Sequence, residues 1–319
     1  MKDENFFERF CIQKLLKEIK NEDKKEILNS LIFPKSLEWF KFVEFFSIIF
    51  GGLLFGAGII FFIAANWDSL GKFFKFFLLE TLIGIFLSFW FISKNELFAK
   101  ISLSISFLLF GGLLALIGQV YQTGANNWEL FFYWAIFGIF WTVAAEFEFL
   151  WILWIIVSNL ALFLYLNLSF STLFFVRELT QTMGIWNTIL LVFFEFANNK
   201  NLYKTKFITK KLATIATFFM TFGAVNMIFD SRALFLGIYP FWFLGMLFYF
   251  FKKDKYIVSN LILSFDIVLL ALFGKWIFEK MHDSTFAFFI MSFVSITITI
   301  FTISLIKNLN KKGEKDVLL

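Results

Sequence analysis

The chain has 319 residues, 60% hydrophobic and 17% charged, with a mean hydropathy of +0.78 and a formal net charge of +5. A soluble domain of this size carries about a quarter charged residues and cannot hide so much apolar surface in one core. The composition therefore excludes a water-soluble globular fold and predicts an all-α, polytopic transmembrane helix bundle. One cysteine (Cys11) and one histidine (His282) exclude a disulfide framework and any Cys- or His-rich metal site. The 54 phenylalanines accompany abundant Ile, Lys and Asn, so they are lipid-facing bulk rather than a cofactor pocket. Neither a metal nor a cofactor is implied.

Residues 1–41 are charged, not a short apolar run behind a basic tip, so no cleavable signal is expected there. Ile12, Leu15, Leu16 and Ile19 recur at i, i+3, i+4 and i+7, which predicts an amphipathic helix. Asp23 and Glu26 resemble a capping box for a second helix carrying Ile27, Leu28, Leu31 and Ile32, ended by Pro34. This segment is a cytoplasmic helical hairpin packed on the bundle, or else a surface through which a protein partner docks.

Apolar runs of about 20 residues read as membrane spans. Ten are predicted, at 43–65, 73–92, 100–120, 130–145, 149–166, 183–197, 211–229, 233–251, 256–273 and 285–306, with a basic tail from 307. With the N-terminus in the cytoplasm, the inner segments carry 23 Lys and Arg and the outer ones 6, which accounts for all 29. That bias fits the positive-inside rule and places both termini in the cytoplasm of a bacterial inner membrane. The net charge of +5 is this bias, so no nucleic-acid partner follows from it. The organisation is then 1–41, the first four spans (42–145), six further spans (146–306) and the tail (307–319).

The stretch "FGGLLFGAGIIFFIAANWDSL" (50–70) recurs as "FGGLLALIGQVYQTGANNWEL" (110–130). An offset of two helices keeps the same orientation, so this is expected to be a parallel repeat of a two-helix unit. Gly52 and Gly56, and more weakly Gly111 and Ala115, have the small-xxx-small spacing that lets membrane helices approach closely. Both tails are placed on the outer side, where Trp67 and Trp128 suit the aromatic belt. Asn66 and Asn126 are expected at helix C-termini.

"FIAANWDSLGKFFKF" (62–76) and "IGQVYQTGANNWELFFYW" (117–134) resemble the two hallmark stretches of the bacterial membrane proteins grouped as domain of unknown function 2157. The resemblance covers about residues 5–150. It implies a short helical N-terminal segment, an Ala-Asn-Trp-Asp run after the first span and a Gly-Gln-x-Tyr-Gln run after a later one. The matching positions are Asn66, Trp67 and Asp68, then Gly118, Gln119, Tyr121 and Gln122. Two departures are visible: no glycine separates the N-terminal helices, and Tyr121 is followed by a loop rich in Thr, Gly, Ala and Asn. The family brings no agreed activity, so it bears on architecture.

An ionisable side chain at a span centre costs about 2.5–3.5 kcal/mol on insertion scales, so each asks for a reason. Glu80 lies in the second span at a depth close to that of Gln119 in the third, and Asp266 is near the middle of the ninth. Glu195 is an inner-surface charge; Asn159, Asn187 and Asn226 are interhelical hydrogen-bond partners; His282 and Asp283 belong to an outer loop. Three functions compete. A scaffold, sensor or assembly factor without catalytic activity fits the modest loops. A transporter would use an outward-facing polar pocket of Asn66, Trp67, Asp68, Glu80, Gln119, Tyr121, Gln122, Asn126 and Trp128, its ligand unknown. An intramembrane enzyme lacks support: there is no His-Glu-x-x-His motif and no Ser/His pair within a span.

Overall fold

The computed structural model describes residues 35–66, 68–122, 124, 126–169, 175–199, 206–229, 237–281 and 284–316. The predicted helices before Pro34, Trp67, and His282 with Asp283 lie outside the described residues. The regular structure described is all helical: α1 (Lys35–Ala65), α2 (Lys72–Ile92), α3 (Glu96–Tyr121), α4 (Asn127–Ala145), α5 (Glu148–Ser169), α6 (Phe175–Asn199), α7 (Lys206–Phe229), α8 (Tyr239–Phe250), α9 (Lys255–Lys280) and α10 (Ser284–Asp316). Each helix overlaps one of the ten predicted segments. Eight are long and apolar enough by themselves to cross a membrane; α6 and α8 are not.

The chain forms two compact units, residues 1–65 and 66–319. In the first, α1 carries a ladder of exposed rings, Trp39, Phe42, Phe46 and Phe50, with successive centroids 5.5, 6.1 and 5.6 Å apart. Their spacing of three and four residues puts them on one face.

In the second unit the helices pack on their sequence neighbours. The α2–α3 turn ends in Asn95, whose side chain accepts the Leu97 and Phe98 amides at 3.0 and 3.2 Å and so starts α3. α3 lies against both α2 and α4, which is why Ile101 through Phe107 are all buried, three serines included. The indoles of α4 lock it to α3: Trp134 Nε1 donates to the Phe107 carbonyl and Trp141 Nε1 to Ser106 Oγ, both at 3.1 Å. Gly111 and Gly138 make room for this packing. A Cβ on Gly111 would overlap the Trp134 ring, and one on Gly138 would come within 2.5 Å of Phe107. The small residue here thus admits an aromatic ring from the neighbouring helix.

α6 is the polar exception, and its packing shows where it runs. Trp151 meets Phe194 at 5.0 Å, Asn159 meets Asn187, and Leu166 packs with Leu179 and Met183. As α5 advances α6 recedes, so the two are antiparallel along nearly the whole of α5. α6 turns Thr180, Met183, Asn187, Leu190, Leu191 and Phe194 inward and exposes Ile185, Ile189, Val192, Phe193 and Phe196. Its inward face mixes Thr180 and Asn187 with apolar residues while its outward face carries Ile, Val and Phe, which lets a helix of low overall hydropathy stand within a bundle of spans.

α7 and α9 are parallel. Thr214 pairs with Tyr256 and Asn260, Thr221 with Ser264, and the Ile228 carbonyl with Lys275, so both chains advance together. Between two parallel helices the chain must return, and α8 supplies only part of that return. Its 12 residues span about 18 Å against a hydrocarbon core of about 30 Å. Of the predicted span at 233–251, the described helix is Tyr239–Phe250, and α8 begins at the level of Ser264, partway along α9. The main core joins α5 to α9 around Trp151, Phe194, Leu212, Met220, Trp242 and Leu261. α10 packs on α9, where Thr302 Oγ1 donates to Asp266 Oδ2 at 2.5 Å.

Candidate functional site

The two repeat tails fold differently. Asn66 follows the last residue of α1, and its carbonyl accepts the Leu70 amide and the Ser69 hydroxyl, both at 3.0 Å. Asp68 lies exposed in that turn, ahead of Gly71, the N-cap of α2. Asn126, expected at a helix C-terminus, is instead the N-cap of α4. Its backbone N–H and Nδ2 both donate to the Glu129 carboxylate, at 3.3 and 3.2 Å. α3 has already ended at Tyr121 with Gln122 in the left-handed region at φ 44°. Gly124, at φ 66°, supplies a second left-handed residue in the connection to α4.

This connection frames a recess of about 470 Å³. Gly118 and Gln119 from α3, Gly124 from the loop, and Asn126, Asn127 and Glu129 from the start of α4 form its polar wall; Leu114, Leu130 and Tyr133 contribute apolar surface. Gln119 and Asn127 are exposed, and their amides have no hydrogen-bond partner among the described residues. The recess thus offers unpaired amides beside one carboxylate that already serves as a helix cap.

The other expected residues lie elsewhere. The Tyr121 ring sits 6.0 Å from Phe76 and under the Lys72 ammonium at 4.2 Å, clamping the end of α3 to the start of α2. Trp128 is on the opposite side of α4 from the recess, its ring 5.0 Å from Tyr165. There it borders an apolar cavity of about 680 Å³ shared with Trp154 of α5 and Trp186 of α6. Glu80 is exposed on α2 and forms no hydrogen bond or ion pair among the described residues. The inward face of α2 is set by Lys75 and Leu79, 5% and 2% exposed. Asp266 is far along the chain, bound to Thr302 between α9 and α10. The structure brings Gln119 and Asn126 together and does not bring Glu80, Trp128 or Asp266 to them. Among the described residues, no group of three or more His, Cys, Asp or Glu side chains is placed to hold a metal ion.

The recess is built from the hallmark Gly118 and Gln119, and a comparison with known families agrees on that segment. Residues 17–151 match the family of predicted membrane proteins DUF2157. The matched segment takes in α1 to α4, the recess and the first residues of α5; α6 to α10 lie beyond it. No curated protein and no solved structure matches the chain.

Two features emerge only once the fold is known. One is the burial of Lys75, near the start of α2. The other is a line of hydroxyls and amides between α7 and α9: Thr214, Thr217, Thr221, Asn260 and Ser264. The spacing of the α7 threonines at 214, 217 and 221 is a helical face and was legible, whereas its pairing with α9 was not.

Proposed function

We propose that this integral membrane protein is a non-catalytic scaffold or sensor of a bacterial cytoplasmic membrane, with both termini in the cytoplasm. In this reading the recess between α3 and α4 recognises a neutral polar ligand or an extended peptide segment on the outer side. The observation that carries it is the grouping of Gly118, Gln119, Asn126 and Asn127 around one cavity, with the Gln119 and Asn127 amides unpaired. Both amides are exposed at the cavity wall and so are within reach of a polar ligand that enters it. Among the described residues the recess is lined from the end of α3, the loop and the first turns of α4, a place at the helix ends that suits recognition better than passage. The excess of Lys and Arg on the alternate loops supports the orientation.

The test is site-specific photocrosslinking in cells. A photoreactive residue at Tyr133, on the recess, is expected to give a discrete adduct that Gln119→Leu abolishes. The same probe at Phe140, exposed lower on α4, is expected to give lipid adducts alone. Identical adducts at the two positions would remove the recognition role.

A second reading, movement of a solute, has one observation in its favour. α8, between the parallel helices α7 and α9, has only 12 residues, and unusually short apolar helices often mark binding sites in transporters. Flux in proteoliposomes that responds to substitutions around Tyr239 and Ser264, and not to those at Gln119, would favour it.

A further inference from the structure

The parallel pair α7 and α9 leaves a cleft of about 320 Å³ whose composition changes with depth. Its floor is polar: Thr221 Oγ1 lies 2.6 Å from Ser264 Oγ, and Asn260 Nδ2 donates to Thr214 Oγ1 at 2.9 Å. Its lips are apolar and exposed, with Phe218 at 63% and Phe222 at 46% on α7 and Leu263 at 47% and Ile267 at 52% on α9. A groove with apolar lips on the outer surface of a bundle of spans opens sideways to lipid, not to water.

The end of the cleft nearest the α7 and α9 N-termini carries charge. Counting back one turn from Thr214 along α7 reaches Lys210 and Lys211; counting back one turn from Asn260 along α9 reaches Tyr256. The hydroxyls of Tyr256 and Thr214 are 3.2 Å apart, and the Lys210 ammonium lies 5.7 Å from the Tyr256 ring. Lys210 is held loosely: its nearest carboxylate, Asp254, is 3.7 Å away and already accepts the Tyr256 and Ile257 amides as the N-cap of α9. Lys211 is exposed beside the Phe207 ring. Glu195, the other acid at this end, sits 4.0 Å from Lys253. Two cations at the mouth therefore face one engaged carboxylate.

From the mouth inward the order is ammonium groups, then a phenol and an amide, then an apolar-lipped slot. An anionic phospholipid has the same order along its length: phosphate, glycerol esters, acyl chain. Asn260 sits five residues into α9 and Thr214 eight into α7, about 8 and 12 Å below the helix starts, a depth that suits ester carbonyls beneath a headgroup. We propose that the α7–α9 cleft is a binding site for one anionic phospholipid, with its phosphate between Lys210 and Lys211, its ester region against Tyr256, Thr214 and Asn260, and one acyl chain along the slot. The site is independent of the α3–α4 recess.

Native mass spectrometry of the delipidated full-length protein tests this, using phosphatidylglycerol and phosphatidylcholine with identical acyl chains. One phosphatidylglycerol is expected to bind in preference to phosphatidylcholine. Each surface lysine contributes about fivefold at low salt, so the Lys210→Ala/Lys211→Ala variant is expected to lose about tenfold or more of that preference. Leu263→Trp, on an exposed lip and so without cost to folding, is expected to reduce binding of both lipids. Thr214→Val with Asn260→Leu is expected to weaken both lipids and leave their ratio unchanged. Equal binding of the two lipids by the native chain overturns the proposal, as does a preference that survives the double lysine substitution. It is also overturned if Leu263→Trp leaves occupancy intact, or if glycerol phosphate without acyl chains competes as well as the lipid does.

Discussion

The Asn159–Asn187 pair offers a measurement of what holds the C-terminal helices together. Asn187 is fully buried; its Nδ2 donates to Asn159 Oδ1 at 2.7 Å and to the Met183 carbonyl at 2.9 Å. Asn159 returns a bond to Asn187 Oδ1 at 3.2 Å and keeps another to the Ile155 carbonyl at 2.8 Å. Replacing one asparagine by leucine removes both interhelical bonds and leaves the other amide partly unpaired in an apolar setting, at a cost of about 1–3 kcal/mol. Replacing both removes that penalty and leaves an apolar contact of similar volume. Interhelical hydrogen bonds in membranes average about 0.6 kcal/mol each and reach about 1.7, so two of them predict a coupling of about 1–2 kcal/mol. The assay is a double-mutant cycle on the protein in bicelles, unfolded with SDS and followed by tryptophan fluorescence. The double variant is expected to be no less stable than the weaker single one. Additivity of the two substitutions within about 0.5 kcal/mol would refute the reasoning and mean that the pair is held by the surrounding packing.

Gly111→Ala is expected to cost about 1–3 kcal/mol because the new methyl meets the Trp134 indole, whereas Gly118→Ala, with open space around it, is expected to be neutral or slightly stabilising; thermal unfolding separates them. Thr302→Val deprives the Asp266 carboxylate of its donor and should loosen α10 by about 1–3 kcal/mol, read as faster hydrogen exchange in α10. Asp266→Asn keeps an acceptor for Thr302 and should be milder. Ile189→Lys, at a position 54% exposed on α6, is expected to cost about 2.5–3.5 kcal/mol if that face meets lipid. A harmless Ile189→Lys in an insertion and stability assay would place that face in water instead.

Hydropathy located every described helix, because a membrane span is a property of its own residues. What it could not supply was helix rotation. The sequence placed Glu80 and Gln119 at similar depth, but depth does not say which way a side chain turns. On α2, Lys75 and Leu79 form the inward face, and one further residue rotates Glu80 about 100° away from it. The Asn126 assignment failed for a different reason. The repeat alignment carried it to a helix end by analogy with Asn66, although Asn126 and Glu129 have the spacing of a helix start. That local signal was present and was the better guide. The α7–α9 cleft was beyond reach, since a parallel pairing across 25 or more intervening residues depends on how α8 returns the chain.

That return also bears on how many times the chain crosses. By the length and hydropathy that let a single helix cross a membrane, α6 and α8 drop out and eight candidate crossings remain among the described residues. The pairings argue against dropping them. α6 is antiparallel to α5 from Trp151 opposite Phe194 to Leu166 opposite Leu179, so it runs the depth that α5 runs. If α7 and α9 are parallel, their starts lie at one end of the bundle and their finishes at the other, and whatever joins them must travel the full depth. Side-chain contacts at the starting end agree: Lys210 near the start of α7 lies 3.7 Å from Asp254 before α9, and Lys253 lies 4.0 Å from Glu195 near the end of α6. The end of α6, the start of α7 and residues 252–255 therefore share one end, which an eight-crossing count that skips α6 and α8 would divide between opposite sides of the membrane. A hydropathy count leaves out α6, which turns Thr180 and Asn187 toward other helices, and α8, whose 12 residues are too few to cross alone.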